Sequence, residues 1–166
     1  MTRISGIRST TENGFTVAEL VVILVLVAIL AFTVIPRYQD KGAINVSALA
    51  EQLASDIRYT QSLAMTSGQR NRINLAVASY QITTSAGVPV AHPATGSSAA
   101  ISLGNVSLSG YNPPLTNSYI AFDGKGIPYT DVAGTALSAN ATITLNSAGS
   151  TRQVVVSPQT GRVIVQ

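Results

Sequence analysis

The first third of the chain changes from polar to apolar at one point. Residues 1–14 are polar and include Arg3 and Arg8, whereas residues 20–35 contain no charged side chain. A helix over residues 15–35 would span about 30 Å at about 1.5 Å per residue, which is the hydrocarbon thickness of a bilayer. The pattern predicts a single membrane-spanning helix over 15–35, and the preceding arginines favour a cytoplasmic N-terminus.

The next segment has the spacing of an amphipathic helix, which we predict over residues 36–68. Apolar residues recur every three or four positions, at Val46, Leu49, Ala50, Leu53, Ile57 and Ala64. Glu51 and Asp56 fall between them, so we expect both on the solvent face. Pro36 should kink the helix where its apolar half ends, and Gly68 is suited to cap its C-terminus.

From residue 69 to residue 166 the apolar period becomes two, as in strands with one buried face. We predict strands at 72–77, 80–84, 101–108, 118–122, 141–145, 153–156 and 162–165. Residues 87–98, rich in Gly, Pro, Ala and Ser, predict an exposed loop, and 109–116 predict a turn. One long helix followed only by strands predicts an α+β fold, with the helix packed on an antiparallel sheet.

Composition limits the chemistry that the chain can perform. Charged residues make up 10% of the 166 positions, where about 25% is usual for a soluble domain. The net charge of +3 is too small to indicate nucleic-acid binding by itself. The sequence has no cysteine, which excludes disulfides and thiolate metal sites. We expect no cofactor.

A single carboxylate interrupts the apolar stretch at Glu19. A charge within a bilayer costs about 2.5–3.5 kcal/mol on insertion scales, so an acid at this depth indicates a function. Its partner should be a cation in the same membrane, but residues 15–35 contain no Lys or Arg. An α-amine would arise nearby only if the chain were cut just before Phe15.

Residues 14–23, with the sequence GFTVAELVVI, resemble the class III signal of type IV prepilins and type II secretion pseudopilins. The resemblance implies that prepilin peptidase removes residues 1–14 as a leader, cutting after Gly14, and methylates the new terminus at Phe15. It also implies that Glu19 pairs with the terminal amine of a neighbouring subunit during assembly. Pro36 matches a proline that kinks the helix in this family.

The same resemblance implies a pilin fold and a structural rather than an enzymatic function. Residues 58–68, 119–128 and 156–161 look similar to segments of the GspH/FimT group or of MSHA-type minor pilins. We therefore expect a minor pilin or pseudopilin in the bacterial inner membrane, with a periplasmic C-terminal region, that later joins a filament. Its partners would be other subunits, prepilin peptidase, the assembly platform and membrane lipid. The sequence leaves open whether the assembly is a pilus or a secretion pseudopilus, and whether the subunit is major or minor.

An alternative function is a pilus-tip module that binds DNA or another surface ligand. The basic candidates for such contacts are Arg70, Arg72, Lys125, Arg152 and Arg162. The first two should face the same side of one strand, and the last two are candidate neighbours on the tail strands. Few aromatic residues accompany these charges, so we favour solvated strand faces over DNA contact.

The remaining candidates for chemistry are weaker. His92 is the only histidine and lies in the predicted loop, so we expect it to be solvent-exposed. No nucleophile, base and acid can be named, which makes an anchored periplasmic enzyme the least favoured function. Asp123 and Asp131 are weak calcium candidates beside a glycine-rich turn, although calcium needs about 6–8 oxygen ligands. We favour a turn in which Asp123 caps Gly124 and Gly126, and we predict no metal site.

Overall fold

The computed structural model describes residues 14–34, 41–112, 115, 118–130 and 134–166. The chain falls into two units, the first ending at Asp40 and the second running from Lys41 to Gln166. The predicted leader, apart from Gly14, and the predicted kink at Pro36 lie outside the described residues. Both remain predictions from the sequence.

Helix α1, Val17–Val34, is the described secondary structure of the first unit. Val, Leu, Ile and Ala fill almost all of its 18 positions, so the helix is aliphatic on every side. The large aliphatic side chains from Val17 to Leu30 are about half exposed or more in the isolated chain. Within the described ranges, no helix combines the length and the apolarity needed to cross a membrane. The span predicted over 15–35 extends beyond α1 at both ends and stays a prediction.

Helix α2, Lys41–Ser67, brings the amphipathic part of the sequence into the core of the second unit. Gly68 follows it with a φ of +66°, the left-handed conformation that glycine adopts readily, in agreement with the predicted cap. One side of the helix is fully buried at three- and four-residue spacing, by Val46, Ala50, Leu53, Ala54, Ile57, Thr60 and Ala64. The alanines on this side let the helix lie close to the strands that it covers.

Nine strands follow α2 among the described residues: β1 Asn71–Ala76, β2 Ser79–Thr84, β3 Ile101–Ser102, β4 Ser107–Asn112, β5 Tyr119–Phe122, β6 Pro128–Tyr129, β7 Ala141–Ser147, β8 Ser150–Val156 and β9 Val163–Val165. They form two antiparallel sheets, with the orders β3-β2-β1-β5-β6 and β4-β7-β8-β9. The predicted α+β class and antiparallel pairing are confirmed. The division into two sheets differs from the single sheet that we expected.

The register of the five-stranded sheet places a row of isoleucines in the core. Ile73 of β1 lies opposite Ile82 of β2 and Ile120 of β5, and each of the three is at most 2% exposed. Side chains alternate between the two faces of a strand, so Arg72 and Asn74 lie on the outer face of this sheet.

The last three strands form the meander that the sequence predicted for the tail. Strand β7 joins β8 through a tight turn at Ala148 and Gly149, whose φ angles are +49° and +82°. Both central residues of this kind of hairpin turn need positive φ, which matches the right-handed twist of the strands. Helix α2 lies against β7, β8 and β9 of this sheet and against β1 and β5 of the other. The two sheets and the helix therefore share one core.

Residues 101–108, predicted as a single strand, belong to both sheets. Ile101 and Ser102 form β3 of the five-stranded sheet, and β4 of the four-stranded sheet begins at Ser107. Gly104, with a φ of +59°, lies in the turn between them. Leu103 in the same turn is 1% exposed. Its side chain is therefore part of the core although the residue lies outside both strands.

One further boundary and one further strand differ from the prediction. The turn predicted over 109–116 is wrong in its first half, because β4 continues to Asn112. Strand β6, Pro128–Tyr129, was not predicted, since it has two residues and one is a proline. It pairs with Ala121 and Phe122 of β5.

Candidate functional site

The segment in front of α1 is held by a side-chain cap. Phe15 is 77% exposed, and Thr16 directly precedes the helix. The Glu19 N–H donates to Thr16 Oγ1 over 3.2 Å, and the Leu20 N–H donates to the Thr16 carbonyl oxygen over 3.1 Å. Thr16 is therefore the N-cap of α1 and accepts the hydrogen bond that an N-cap side chain normally accepts.

Glu19 also has a local reason for its position, which was not predicted. Thr16 and Glu19 are three residues apart, which is the spacing of a capping box, and this spacing was the available signal. An acid in the first turn is also favoured by the positive end of the helix dipole. Any function of the Glu19 charge must therefore be separated from its contribution to the helix start.

The second unit contains a buried polar cluster of Asp56, Tyr80 and His92. The Tyr80 hydroxyl donates to Asp56 Oδ2 over 2.5 Å, and His92 Nε2 lies 2.7 Å from Asp56 Oδ1. The three residues are at most 7% exposed. Two predictions are thus wrong, because Asp56 is not on the solvent face of α2 and His92 is not solvent-exposed.

Burial explains why Tyr80 serves as a hydrogen-bond donor. Removal from water raises the pKa of Tyr80 well above its ordinary value, and the hydrogen bond to Asp56 and the charge of that carboxylate raise it further. The phenol therefore keeps its proton at any physiological pH. It provides a neutral donor to a carboxylate that has little access to water.

The sequence carried a signal for Asp56 but not for His92. Asp56 follows the buried Leu53 by three residues and precedes Thr60 by four, so it occupies the buried stripe of α2. Most residues of the predicted loop 87–98 are indeed exposed, and His92 is the exception. Nothing in the local composition of that loop distinguishes an inward-facing position.

Arg70 and Arg72 both lie on tyrosine rings. The Arg70 guanidinium carbon is 4.3 Å from the centre of the Tyr129 ring, and that of Arg72 is 4.9 Å from the centre of the Tyr119 ring. Arg72 Nε also donates to Thr83 Oγ1 over 3.1 Å. These contacts are attractive in themselves, so they give both arginines a structural reason for their positions. Arg70 directly precedes β1, and Arg72 lies within it. These aromatic partners were not predicted, because Tyr119 and Tyr129 are remote from the arginines in the chain.

Arg152 and Arg162 do not come together. Ser157 lies opposite Arg162, since its N–H donates to the Arg162 carbonyl oxygen over 2.8 Å. Positions 152 and 157 are five steps apart on one strand, or roughly 16 Å at about 3.3 Å per step. Arg152 shares its face of the sheet with the buried Val154, whereas Arg162 precedes the buried Val163 and so faces the other way. Their expected proximity is wrong.

Asp123 organises the turn between β5 and β6. Its Oδ1 accepts hydrogen bonds from the N–H groups of Lys125 and Ile127, both over 2.9 Å. Its Oδ2 accepts the hydroxyl proton of Tyr129 over 3.2 Å. Asp123 is therefore a turn cap, as predicted, but its side chain caps Lys125 and Ile127 rather than the predicted Gly124 and Gly126. The Gly126 N–H donates instead to the Asp123 carbonyl oxygen over 2.9 Å. Lys125 is exposed in the same turn, and Asp131, the other calcium candidate, lies outside the described residues.

The surroundings of Asp123 favour its ionised form. Partial burial by itself would raise the pKa of Asp123, but the hydrogen bonds from Ile127, Lys125 and Tyr129 and the charge of Arg70 lower it below the ordinary value. Among the residues that the structure describes, no group of three or more acids and histidines is placed to hold a metal ion.

The fold resembles that of solved type IV minor pilins. A crystal structure of the minor pilin FimU of Pseudomonas aeruginosa in space group P21 has a TM-score of 0.50 and 18% identity, and the match covers 73% of this chain and 87% of FimU. A second FimU structure, in space group P65, has a TM-score of 0.52 and 17% identity, with coverage of 72% and 91%. These similarities establish the fold.

The family follows from a match to the sequence itself. Residues 49–160 match the family described as type II transport protein GspH. A search of curated proteins gave no match. The matched residues include most of α2 and all the strands up to β8. The chain therefore belongs to the GspH family of pilins and pseudopilins, whose members are structural subunits rather than enzymes.

Proposed function

We propose that this chain is a minor pilin or pseudopilin, processed after Gly14 and assembled through its N-terminal helix. The observation that carries the proposal is α1 itself, which is aliphatic on every side and has one acid, Glu19, in its first turn. A helix that is apolar all round needs apolar surroundings on all sides, which lipid and the same helix of other subunits provide.

Cleavage after Gly14 would supply the missing partner for Glu19. The new α-amine of Phe15 would carry a positive charge at the same level of the helix. In lipid, an isolated carboxylate is costly, and an opposite charge from a neighbouring subunit reduces that cost. Each subunit would then be held at the axial position where its amine and the neighbouring acid meet.

The proposed function implies a sequence of partners and locations. The chain would span the inner membrane through residues 15–35, with its N-terminus in the cytoplasm, until prepilin peptidase removes residues 1–14 and methylates Phe15. The assembly platform would then add it to a pilus or pseudopilus filament. Membrane lipid would surround α1 before that step, and other subunits would surround it afterwards.

The role of the Glu19 charge is tested with two substitutions. Glu19→Gln keeps a side chain that suits the capping box but removes the charge, whereas Glu19→Ala removes both. We expect each variant to be found in the membrane fraction, but we expect the amount incorporated into filaments to fall by about tenfold or more. An unpaired buried charge costs several kcal/mol, and about 1.4 kcal/mol corresponds to a tenfold change in an equilibrium constant. The measurement is the amount of the chain in sheared filaments from cells that express the other subunits.

The matched control for this test is Glu51→Gln, which removes an exposed acid from α2. It should assemble like the unmodified chain. Normal assembly of Glu19→Gln together with a defect in Glu19→Ala would assign Glu19 to helix capping, and the proposed charge pairing would be wrong.

Processing is tested separately at Gly14. We expect Gly14→Ala to keep its leader, because the resemblance implies cleavage after a glycine at this position, and we expect the unmodified chain to begin with methylated Phe15. Mass spectrometry of the purified membrane protein measures both. An unmodified chain that retains residues 1–14 in filaments would contradict the proposal.

We do not propose a second function in DNA or ligand binding. Arg152 and Arg162 point to opposite faces of their sheet, and Arg70 and Arg72 lie on tyrosine rings. Four of the five basic candidates thus have structural explanations, or positions far apart, and the fifth, Lys125, is exposed in the turn between β5 and β6.

A further inference from the structure

His92 forms the base of a small turn on the surface of the second unit. Its N–H donates to the Ser97 carbonyl oxygen over 2.8 Å, and its carbonyl oxygen accepts from the Gly96 N–H over 2.8 Å and from the Thr95 N–H over 3.3 Å. The residues around it, 93–97, are exposed. The turn therefore joins a buried imidazole ring directly to the protein surface.

The hydrogen bonds of the ring define its protonation. The Ala94 N–H donates to His92 Nδ1 over 3.3 Å, so Nδ1 is the acceptor nitrogen of the ring and carries no proton in this arrangement. In a neutral imidazole the proton then lies on Nε2, which donates to Asp56 Oδ1 over 2.7 Å. Asp56 Oδ2 accepts the hydroxyl proton of Tyr80, so both carboxyl oxygens of Asp56 have a hydrogen-bond partner. This tautomer satisfies every polar group of the cluster.

We propose that His92 is a proton-operated latch, which couples the buried carboxylate of Asp56 to the conformation of the surface turn 93–97. A second proton on the ring would occupy Nδ1 and turn it into a donor that faces the Ala94 N–H. The two donors repel each other, so the turn rearranges. The bond from Nε2 to Asp56 persists and becomes an ion pair.

The neighbours of the ring lie on two sides, the core on one and the exposed turn on the other. Among the residues that the structure describes, the titratable groups in this hydrogen-bond cluster are Asp56, from α2, and Tyr80, from β2 and across the carboxylate. Tyr80 remains neutral, because burial raises its pKa. Since Ala94, Gly96 and Ser97 are exposed, the turn has space to rearrange without displacing core residues. Histidine is the side chain that usually changes its charge between about pH 5 and 8.

Nuclear magnetic resonance tests this latch in the full chain, solubilised in detergent micelles. The pH is varied from about 5 to 8, while the ring signals of His92 and the amide signals of Ala94, Gly96 and Ser97 are followed. The expected result is that the three amides shift with the same midpoint as the ring. The proposal is overturned if the ring titrates while these amides stay fixed, or if the ring does not titrate in this range.

His92→Gln provides the matched control. Glutamine has an N–H group that can donate to Asp56, but it has no proton to gain in this range. Unchanged amide signals from α2 and β1 would verify that the variant is folded. The signals of Ala94, Gly96 and Ser97 should then be independent of pH. If they still shift as in the unmodified chain, another group causes the change and the latch does not exist.

Discussion

Gly161 occupies a position, in the loop that precedes β9, where no side chain fits. Its φ is +62°, and a Cβ atom there would lie 2.5 Å from Gln61 Nε2, 2.7 Å from the Gly126 carbonyl oxygen and 3.0 Å from Phe122 Cε1. Gly96 has nearly the same backbone conformation, with a φ of +66°, but a Cβ atom added there would meet no other atom within 4 Å. An alanine at either position would therefore have a strained backbone, but only an alanine at Gly161 would also overlap with neighbouring atoms.

We expect Gly161→Ala to destabilise the protein more than Gly96→Ala. The left-handed conformation costs an alanine about 1–2 kcal/mol at either position. The overlap at Gly161 should add about 1–3 kcal/mol, because helix, turn and aromatic ring would all have to move. Urea unfolding of the two variants measures the difference. Equal losses of unfolding free energy would mean that the surroundings of Gly161 relax easily.

At the residue scale, the sequence identified positions better than it identified contacts. The apolar spacing of α2 located its buried side, and the glycine after Ser67 located its end. The cluster of Asp56 and His92 joins residues that are 36 positions apart, and such a pairing has no periodicity. The tyrosine partners of Arg70 and Arg72 were missed for the same reason, since they depend on which strands become neighbours.

At the scale of single elements, the turn between β5 and β6 depends on one carboxylate. Asp123 accepts two backbone hydrogen bonds within the turn and one from Tyr129 of β6. The turn and the short strand are therefore held by a group that titrates. Burial alone would raise the pKa of Asp123 in the folded protein. The hydrogen bonds and the charge of Arg70 outweigh it, so the folded pKa is lower than the ordinary value.

We expect acid to weaken this element. A lowered folded pKa stabilises the protein above the unfolded pKa, which is about 3.9 for Asp, and this contribution disappears as the pH falls through the lower folded value. Asp123→Asn retains an acceptor oxygen but cannot titrate. Between about pH 6 and about pH 3 it should therefore lose less thermal stability than the unmodified chain. The same acid dependence in the variant and the unmodified chain would exclude Asp123 as its source.

The elements that could be predicted are those whose pattern is long. The two helices and the tail meander of β7, β8 and β9 follow from sustained periodicity. Strands β3 and β6 have two residues each, which is too short for a period to be recognised. The change of sheet at Gly104 was also hidden, because Leu103 and Val106 keep an apolar pattern through the turn.

At the scale of the whole molecule, the chain divides between Asp40 and Lys41. The described core consists of α2 and the two sheets, and its residues all lie in the second unit. The boundaries predicted from composition and period were different, at residues 35/36 where the aliphatic stretch ends and at 68/69 where the strands begin. The number of sheets was not predictable, because an alternating strand does not indicate which neighbour it will pair with.

We expect residues 41–166 to fold without the first unit. The fragment contains the complete core, so its urea midpoint should match that of the full chain in detergent, and its far-ultraviolet circular dichroism should show the same strands. A fragment that is unfolded, or that unfolds at a much lower urea concentration, would show that residues 1–40 contribute to the stability of the core.

Gln61 gives both protons of its amide to the backbone, one to the Gly126 carbonyl oxygen over 2.8 Å and one to the Thr160 carbonyl oxygen over 2.9 Å. Gly126 belongs to the turn between β5 and β6, and Thr160 to the loop before β9, so one side chain of α2 ties a segment of each sheet. A mechanical load transmitted along α2 would reach both sheets at this point. The two sheets are thus joined at Gln61 by direct hydrogen bonds in addition to their shared apolar core.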